Sequence, residues 1–199
     1  MIEGLILASA SPTRARLLRE AGLKVRVEPA EVDEGAIKQA FRAAGCSAAE
    51  CAVALAEAKA RGIASLYDQA LVIGADQLLI CDDRWFDKPS GLASARAQLQ
   101  ALRGRSHELI TAICIVHNRA RIWHTVNRPR LFMREFSDAF LDDYLAAEGT
   151  AICRSVGAYR LEGKGVQLFE HIEGDYFAIL GLPLLELLAF LRNRGEIPS

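Results

Sequence analysis

Ten residues near the start of the chain constrain it most: Leu5-Ile-Leu-Ala-Ser9-Ala-Ser11-Pro-Thr-Arg14. A short apolar run ends in two serines, a proline follows, and the segment Arg14-Ala-Arg-Leu-Leu18 carries apolar side chains at helical spacing. That order predicts a buried strand, a tight turn and a helix with Pro12 in its first position, where the missing N–H costs nothing. Such a helix start is either an ordinary serine cap or an anion site, because its unpaired N–H groups and positive dipole end attract negative charge. Ser9 and Ser11 add hydroxyl donors, and Arg14 adds a planar fork of charged donors suited to phosphate.

The same punctuation divides the rest of the chain. Lys24-Val-Arg-Val-Glu28 alternates as a half-exposed strand, and Gly22 before it stops the first helix. Ser47-Ala-Ala-Glu50 is a capping box opening a long helix to about Tyr67. Leu71-Val-Ile-Gly-Ala75 reads as a short apolar strand that should end at Asp76, and Leu78–Cys81 resumes a β register up to a turn at Asp82-Asp-Arg84. A helix spans Leu92 to Leu102 and stops at Gly104. Glu108–His117 and Ala120–Met133 form a hairpin about Asn118-Arg119, and Ser137-Asp138 caps a helix to Ala147. A glycine-punctuated stretch follows, and Pro183 opens a last amphipathic helix to about Arg192. Strands and helices are mixed throughout, so the expected class is α/β, in one domain over 1–199.

Composition narrows the function. A formal net charge of −1 is not that of a surface coating nucleic acid. The five cysteines are odd in number and contain no C-x-x-C pair, and the four histidines are dispersed, which argues against a disulfide framework and a zinc site. Glu3 and the brevity of the first apolar run speak against a secretion signal, and the stretch from Ile179 to Leu191, with Pro183 and Glu186, is too short to cross a bilayer. The expectation is a cytoplasmic protein without membrane or nucleic-acid partners. Neither G-x-x-x-x-G-K-[ST] nor a strand followed by G-x-G-x-x-G occurs.

Several charges stand where apolar residues are expected. On the helix from Ala48, the face of Ala52, Leu55, Ile63 and Leu66 contains Lys59, which either snorkels from the stripe or enters a cleft to meet an anion. The opposite face pairs Glu57 with Arg61 at i,i+4. Asp76 follows an apolar strand, as a turn cap or as a ligand-facing carboxylate beyond a strand end. Glu34, after Asp33, is a helix-start carboxylate or a metal ligand. Lys88-Pro89 is uninformative alone. As a set these residues supply cations for phosphates and carboxylates for a divalent metal.

Taken in order, Leu5-Ile-Leu-Ala-Ser-Ala-Ser-Pro-Thr-Arg14, Asp33-Glu34, Leu55-Ala-Glu-Ala-Lys59-Ala60, Val72-Ile-Gly-Ala-Asp76, Lys88-Pro89, Gly104-Arg-Ser-His107-Glu-Leu-Ile-Thr111, Gly157-Ala-Tyr159, Ile172-Glu-Gly-Asp-Tyr176 and Gly181-Leu-Pro183 resemble the Maf family of nucleoside triphosphate pyrophosphatases over nearly the whole chain. The resemblance implies a two-lobed, mixed-sheet α/β fold like that of inosine triphosphate pyrophosphatases, with a nucleotide cleft between the lobes. It implies a divalent cation, magnesium or manganese, and hydrolysis of a triphosphate to monophosphate and pyrophosphate in a house-cleaning role. Carried over by motif, Ser9, Ser11, Arg14, Lys59 and Lys88 would hold phosphates. Glu34 and Asp76 would hold metal, and Asp76 would be the catalytic base. His107 and Thr111 read as structural. A homodimer is implied as well.

Departures from the family pattern touch the base. Thr13 stands where an arginine is frequent, Gln77 where a threonine often follows the aspartate, Arg154-Ser-Val156 replaces Asp-Lys-Ala, and Arg160-Leu-Glu162-Gly163 replaces a Gly-Ile-Gln-Gly stretch. Within the family, Gln and Glu at the positions of Gln77 and Glu162 go with 7-methyl-GTP, whereas Thr and Gln go with dTTP and UTP. Thr13, Gln77 and Glu162 are thus the candidate base-specificity residues. The expectation is a modified purine such as 7-methyl-GTP. The alternatives are a dTTP/UTP pyrophosphatase, or a nucleotide-binding regulator of cell division or septum formation in which hydrolysis is incidental.

Overall fold

The computed structural model describes residues 4–67 and 69–198; Glu3, cited above against a secretion signal, lies outside the described residues. In chain order the first elements are β1 (Leu5–Leu7), α1 (Pro12–Glu20), β2 (Val25–Val27), α2 (Glu34–Ala43), α3 (Ala48–Ala64) and β3 (Leu71–Cys81). Then come β4 (Arg84–Phe86), α4 (Leu92–Leu102), β5 (Ser106–His117), β6 (Ala120–Asn127), β7 (Arg130–Met133) and α5 (Asp138–Glu148). Short 3-10 turns lie between Gly149 and Leu168, followed by β8 (Phe169–Glu173), α6 (Tyr176–Ile179) and α7 (Leu184–Asn193). The class is α/β.

The chain forms two compact units interleaved in sequence. The first comprises Met1–Gln77, Thr111–Asn127 and Asp175–Ser199. Here β1 runs parallel to both β2 and β3, with Leu7 opposite Val27 on one side and Ile73 on the other. β5 lies beyond β3, and β6 pairs antiparallel with β5 through a tight turn at Asn118 and Arg119, both at positive φ. The core joins Leu7, Leu18, Ile73, Ile113, Leu182 and Leu187, so the strands meet α1 and α7 over one apolar cluster. β1 and the start of β3 are apolar on both faces, as strands covered on both sides must be.

The second unit comprises Leu78–Ile110 and Arg128–Gly174. The end of β3 turns back as β4 through Asp82 and Asp83, again at positive φ, with Cys81 opposite Arg84. The start of β5 pairs antiparallel with β7, and β7 with β8. α4 packs against α5 and the 3-10 turns.

Capping chemistry sets the helix starts as expected. Ser11 accepts from the Arg14 N–H with Pro12 opening α1, Ser47 and Glu50 close a reciprocal box on α3, and Ser137 accepts from Phe140 N–H at α5. Four expectations change. β3 does not stop before Asp76 but continues to Cys81, so Asp76 lies within the strand; what ends there is its parallel neighbour, since β1 finishes opposite Ile73. α3 ends at Ala64, which leaves Leu66 past the helix and exposed rather than on the apolar stripe. The segment after Asn118-Arg119 is two strands, because Pro129 lacks the N–H a continuous ladder needs. Finally β8 and α6 were not anticipated, and α2, capped by Asp33, realises the helix start that was one of the two readings of Glu34. No helix among the described residues is long and apolar enough to cross a membrane.

Candidate active site

The first unit gathers the charges that looked misplaced. Gly74 makes this possible, because a Cβ there would overlap the Ala56 carbonyl oxygen and lie 2.9 Å from the Ala60 Cβ. Its absence lets the backbone of α3 approach β3. That approach brings Lys59 against Asp76, with Lys59 Nζ 2.6 Å from Asp76 Oδ1 and 2.6 Å from Glu34 Oε1. The side chains of Lys59 and Asp76 are 11% and 7% exposed. Lys59 therefore does not snorkel: its ammonium is turned inward and shared by two carboxylates. Glu34 is the first residue of α2, next to the Asp33 that caps it, so one short segment supplies both a helix start and a site carboxylate. On the outer face of α3 Glu57 pairs with Arg61, as the spacing predicted, and also with Arg121 on β6.

Arg14 projects from the first turn of α1 and is gripped by the protein. Its Nε donates to the Gly181 carbonyl at 2.7 Å, and Nη1 donates to Ser9 Oγ at 3.1 Å and to the Ala75 carbonyl at 3.0 Å. A guanidinium has five N–H groups. Three are accounted for by these bonds, and among the described residues Nη2 makes no hydrogen bond. Burial lowers the guanidinium's pKa, and the charges of Asp76 and Glu34 oppose the shift, so Arg14 stays cationic. Ser9 is buried and also accepts the Ser11 N–H. Ser11 Oγ is engaged as the helix cap, and Thr13 follows Pro12 in the first turn.

Gln77 follows Asp76 on a strand and so faces the other way. Its Nε2 lies 2.8 Å from Thr111 Oγ1, 3.0 Å from the Ala178 carbonyl and 3.1 Å from the Ile179 carbonyl, while Thr111 Oγ1 donates to Ala178 O at 2.9 Å. Two of those partners only accept, which fixes the amide with its nitrogen inward. Sequence reasoning missed the acceptor carbonyls of Ala75, Ala178, Ile179 and Gly181, since any residue type can supply one. Gly181, at φ +95°, was visible only as part of a motif.

Lys88 and Glu162 belong to the second unit. Lys88 is exposed just before Pro89 and α4. Glu162 is 15% exposed, 3.8 Å from Arg160, which lies 3.9 Å from Glu148. His107, also in this unit, is a core residue: its Nε2 is 2.8 Å from Tyr159 OH, and its ring packs on Tyr159 and Phe169. Burial pushes its pKa down to about 4. Burial likewise pushes the Cys114 thiol up to about 12 and raises Cys81, so neither is a nucleophile at neutral pH. Among the described residues no three His, Cys, Asp or Glu side chains cluster as a ready-made metal cage.

The model of the family described as Maf-like protein matches residues 4–194. This chain belongs to that family. It is 55% identical, over 97% of its length and 98% of the relative's, to a Granulibacter bethesdensis protein named nucleoside triphosphate pyrophosphatase. It is 49% identical, over 98% of both chains, to a Rhizobium meliloti protein named 7-methyl-GTP pyrophosphatase. Among solved structures it is similar to a Mycobacterium abscessus nucleoside-triphosphatase, also titled dITP/XTP pyrophosphatase, with a TM-score of 0.42 and 16% identity over 98% of this chain and 97% of that one. The matched residues include the first unit's charge cluster.

Proposed function

We propose that this protein hydrolyses a nucleoside triphosphate between its α and β phosphates, releasing the monophosphate and pyrophosphate. The observation that carries the reading is the cluster of Arg14, Lys59, Glu34 and Asp76 beyond the end of β1, beside the start of α1. Arg14 offers its Nη2 edge to phosphate oxygens, with Ser9 and the first turn of α1 beside it. Asp76 is the base: it takes a proton from a water whose oxygen attacks the α-phosphorus as the bridging bond to the β-phosphate breaks and pyrophosphate leaves. Lys59 is assigned to stabilise the departing charge, and the family resemblance suggests the same role for Lys88.

The cluster suits a divalent cation. Its two cationic side chains are matched by two carboxylates, which leaves little positive charge for a triphosphate. Glu34 and Asp76 reach one common ammonium, so two hard oxygen donors stand close enough to hold a metal ion between them. Magnesium or manganese held there would neutralise phosphate charge and polarise phosphoryl oxygens.

For the base, we favour 7-methylguanine or another modified purine, in a house-cleaning role. With its nitrogen engaged, Gln77 has its amide oxygen to offer, an acceptor suited to the N–H edge of a guanine. The Glu162 carboxylate would favour the same edge and the positive charge that N7 methylation adds. A panel of kcat/KM values for standard and modified triphosphates, with pyrophosphate release as the readout, tests both statements. A preference for dTTP or UTP overturns the base assignment; no release from any triphosphate overturns the activity.

A further inference from the structure

We infer that Gln77 and Thr111 are positioning residues for Arg14, acting through the segment from Ala178 to Gly181; the inference rests on the proposal that Arg14 binds phosphate. Arg14 is a long side chain, and an unsupported guanidinium at a helix start samples many rotamers. Here one edge is fixed by Nε to the Gly181 carbonyl and the adjoining corner by Nη1 to Ser9 Oγ and Ala75 O. The Gly181 carbonyl is the support that comes from outside the β1–α1 and β3 segments. It sits in a tight turn at φ +95°, so close to Arg14 that a Cβ on Gly181 would lie 3.3 Å from Nε.

What holds that turn is the Gln77–Thr111 pair. Gln77 reaches from β3 to the carbonyls of Ala178 and Ile179, and Thr111 reaches from β5 to Ala178. Asp175 accepts the Ala178 N–H at 2.6 Å and closes the other side of the same turn. The strand that carries Asp76 thus holds Arg14 twice, directly through Ala75 and indirectly through Gln77. This couples the base to the phosphate clamp: a shift of β3 carries both. Thr111 is fully buried and touches no solvent, so its hydroxyl acts only through these bonds. A donor pair this close to two carbonyls is geometrically demanding, and losing it frees the turn by leaving Ala178 under-bonded.

Thr111→Val removes the hydroxyl at nearly constant shape, and Thr111→Ser restores it. Binding of inorganic pyrophosphate, followed by calorimetry in magnesium buffer, reads the clamp with no base present. The expected result is a loss of about tenfold for Thr111→Val, recovery in Thr111→Ser, and a loss under twofold when Thr111→Val is made on Arg14→Ala. Gln77→Met gives the same pattern and carries the test if Thr111→Val does not fold. An equal loss in both Arg14 backgrounds, or none in either, overturns the inference. The Arg14 Nε–H resonance supplies a readout that needs no ligand: its bond to Gly181 should make it exchange slowly in the parent protein and faster in Thr111→Val. If it does not respond, the positioning role fails; if it responds while no triphosphate yields pyrophosphate, the activity fails and the positioning role stands.

Discussion

Asp76 is held by one oxygen on the Lys59 ammonium, which orients the carboxylate; in the proposed mechanism its other oxygen takes the proton from water. Asp76→Asn keeps the shape and removes the proton acceptor, so turnover should fall by at least the ~10²- to 10⁴-fold that a general base supplies, while nucleotide affinity stays within a few-fold. Single-turnover kinetics beside equilibrium binding would separate the two, and turnover near that of the parent would remove Asp76 from the chemistry. Lys59→Met is a different experiment. It strips the shared cation from a carboxylate that is 7% exposed, and breaking a buried pair in this way costs about 3–5 kcal/mol. Urea unfolding should show that loss, and a more stable variant would mean that the ammonium is not the partner it looks to be. At this scale the sequence was readable wherever a charge interrupted an apolar pattern, as Lys59 does. Partners that are backbone carbonyls, such as Ala75 and Gly181 for Arg14, leave no mark in residue type.

Elements were legible where side chains do the capping. Ser11 with Pro12, Ser47 with Glu50, and Ser137 each announce a helix start through an oxygen that accepts an orphan N–H. The reading failed where tertiary pairing decides. An apolar run followed by Asp-Gln looks like a finished strand, yet β3 continues because β4 pairs with its second half. α2 is strongly amphipathic, with Ala36, Ile37, Ala40 and Phe41 at helical spacing, yet it buries none of its residues fully. Gly74 belongs to this scale because it sets the distance between α3 and β3. Gly74→Ala should destabilise the fold by about 3 kcal/mol or more, since the added methyl meets backbone rather than a movable side chain. It should also weaken phosphate binding by pushing Lys59 away from Asp76. Thermal unfolding together with pyrophosphate affinity would check this; a variant as stable as its parent would show that α3 can retreat freely.

On the scale of the molecule, the second unit carries a group that links its stability to acid. His107, in the second unit, is buried with Nδ1 lacking a partner among the described residues, and its pKa falls from 6.5 to about 4. Between those values the unfolded chain binds a proton that the folded chain refuses. The stabilisation is complete above pH 6.5 and drains away as the pH drops towards 4, by about 3 kcal/mol in all. His107→Gln should flatten the urea midpoint between pH 7 and 4.5; an unchanged slope would place the acid sensitivity elsewhere.

The interleaving of the units has a consequence for how the protein is made. Arg14 emerges from the ribosome early, but the carbonyl that steadies it lies 167 residues downstream, in the last segment of the first unit. A nascent chain that has reached Gly174 already carries Arg14, Glu34, Lys59, Asp76 and Lys88, yet it has neither Gly181 nor the turn that Gln77 and Thr111 grasp. Translation that aborts before this point leaves a polypeptide whose Arg14 still has Ser9 and Ala75 as partners but lacks the Gly181 carbonyl. The outer support of the proposed phosphate clamp is therefore among the last parts of the first unit to be synthesised.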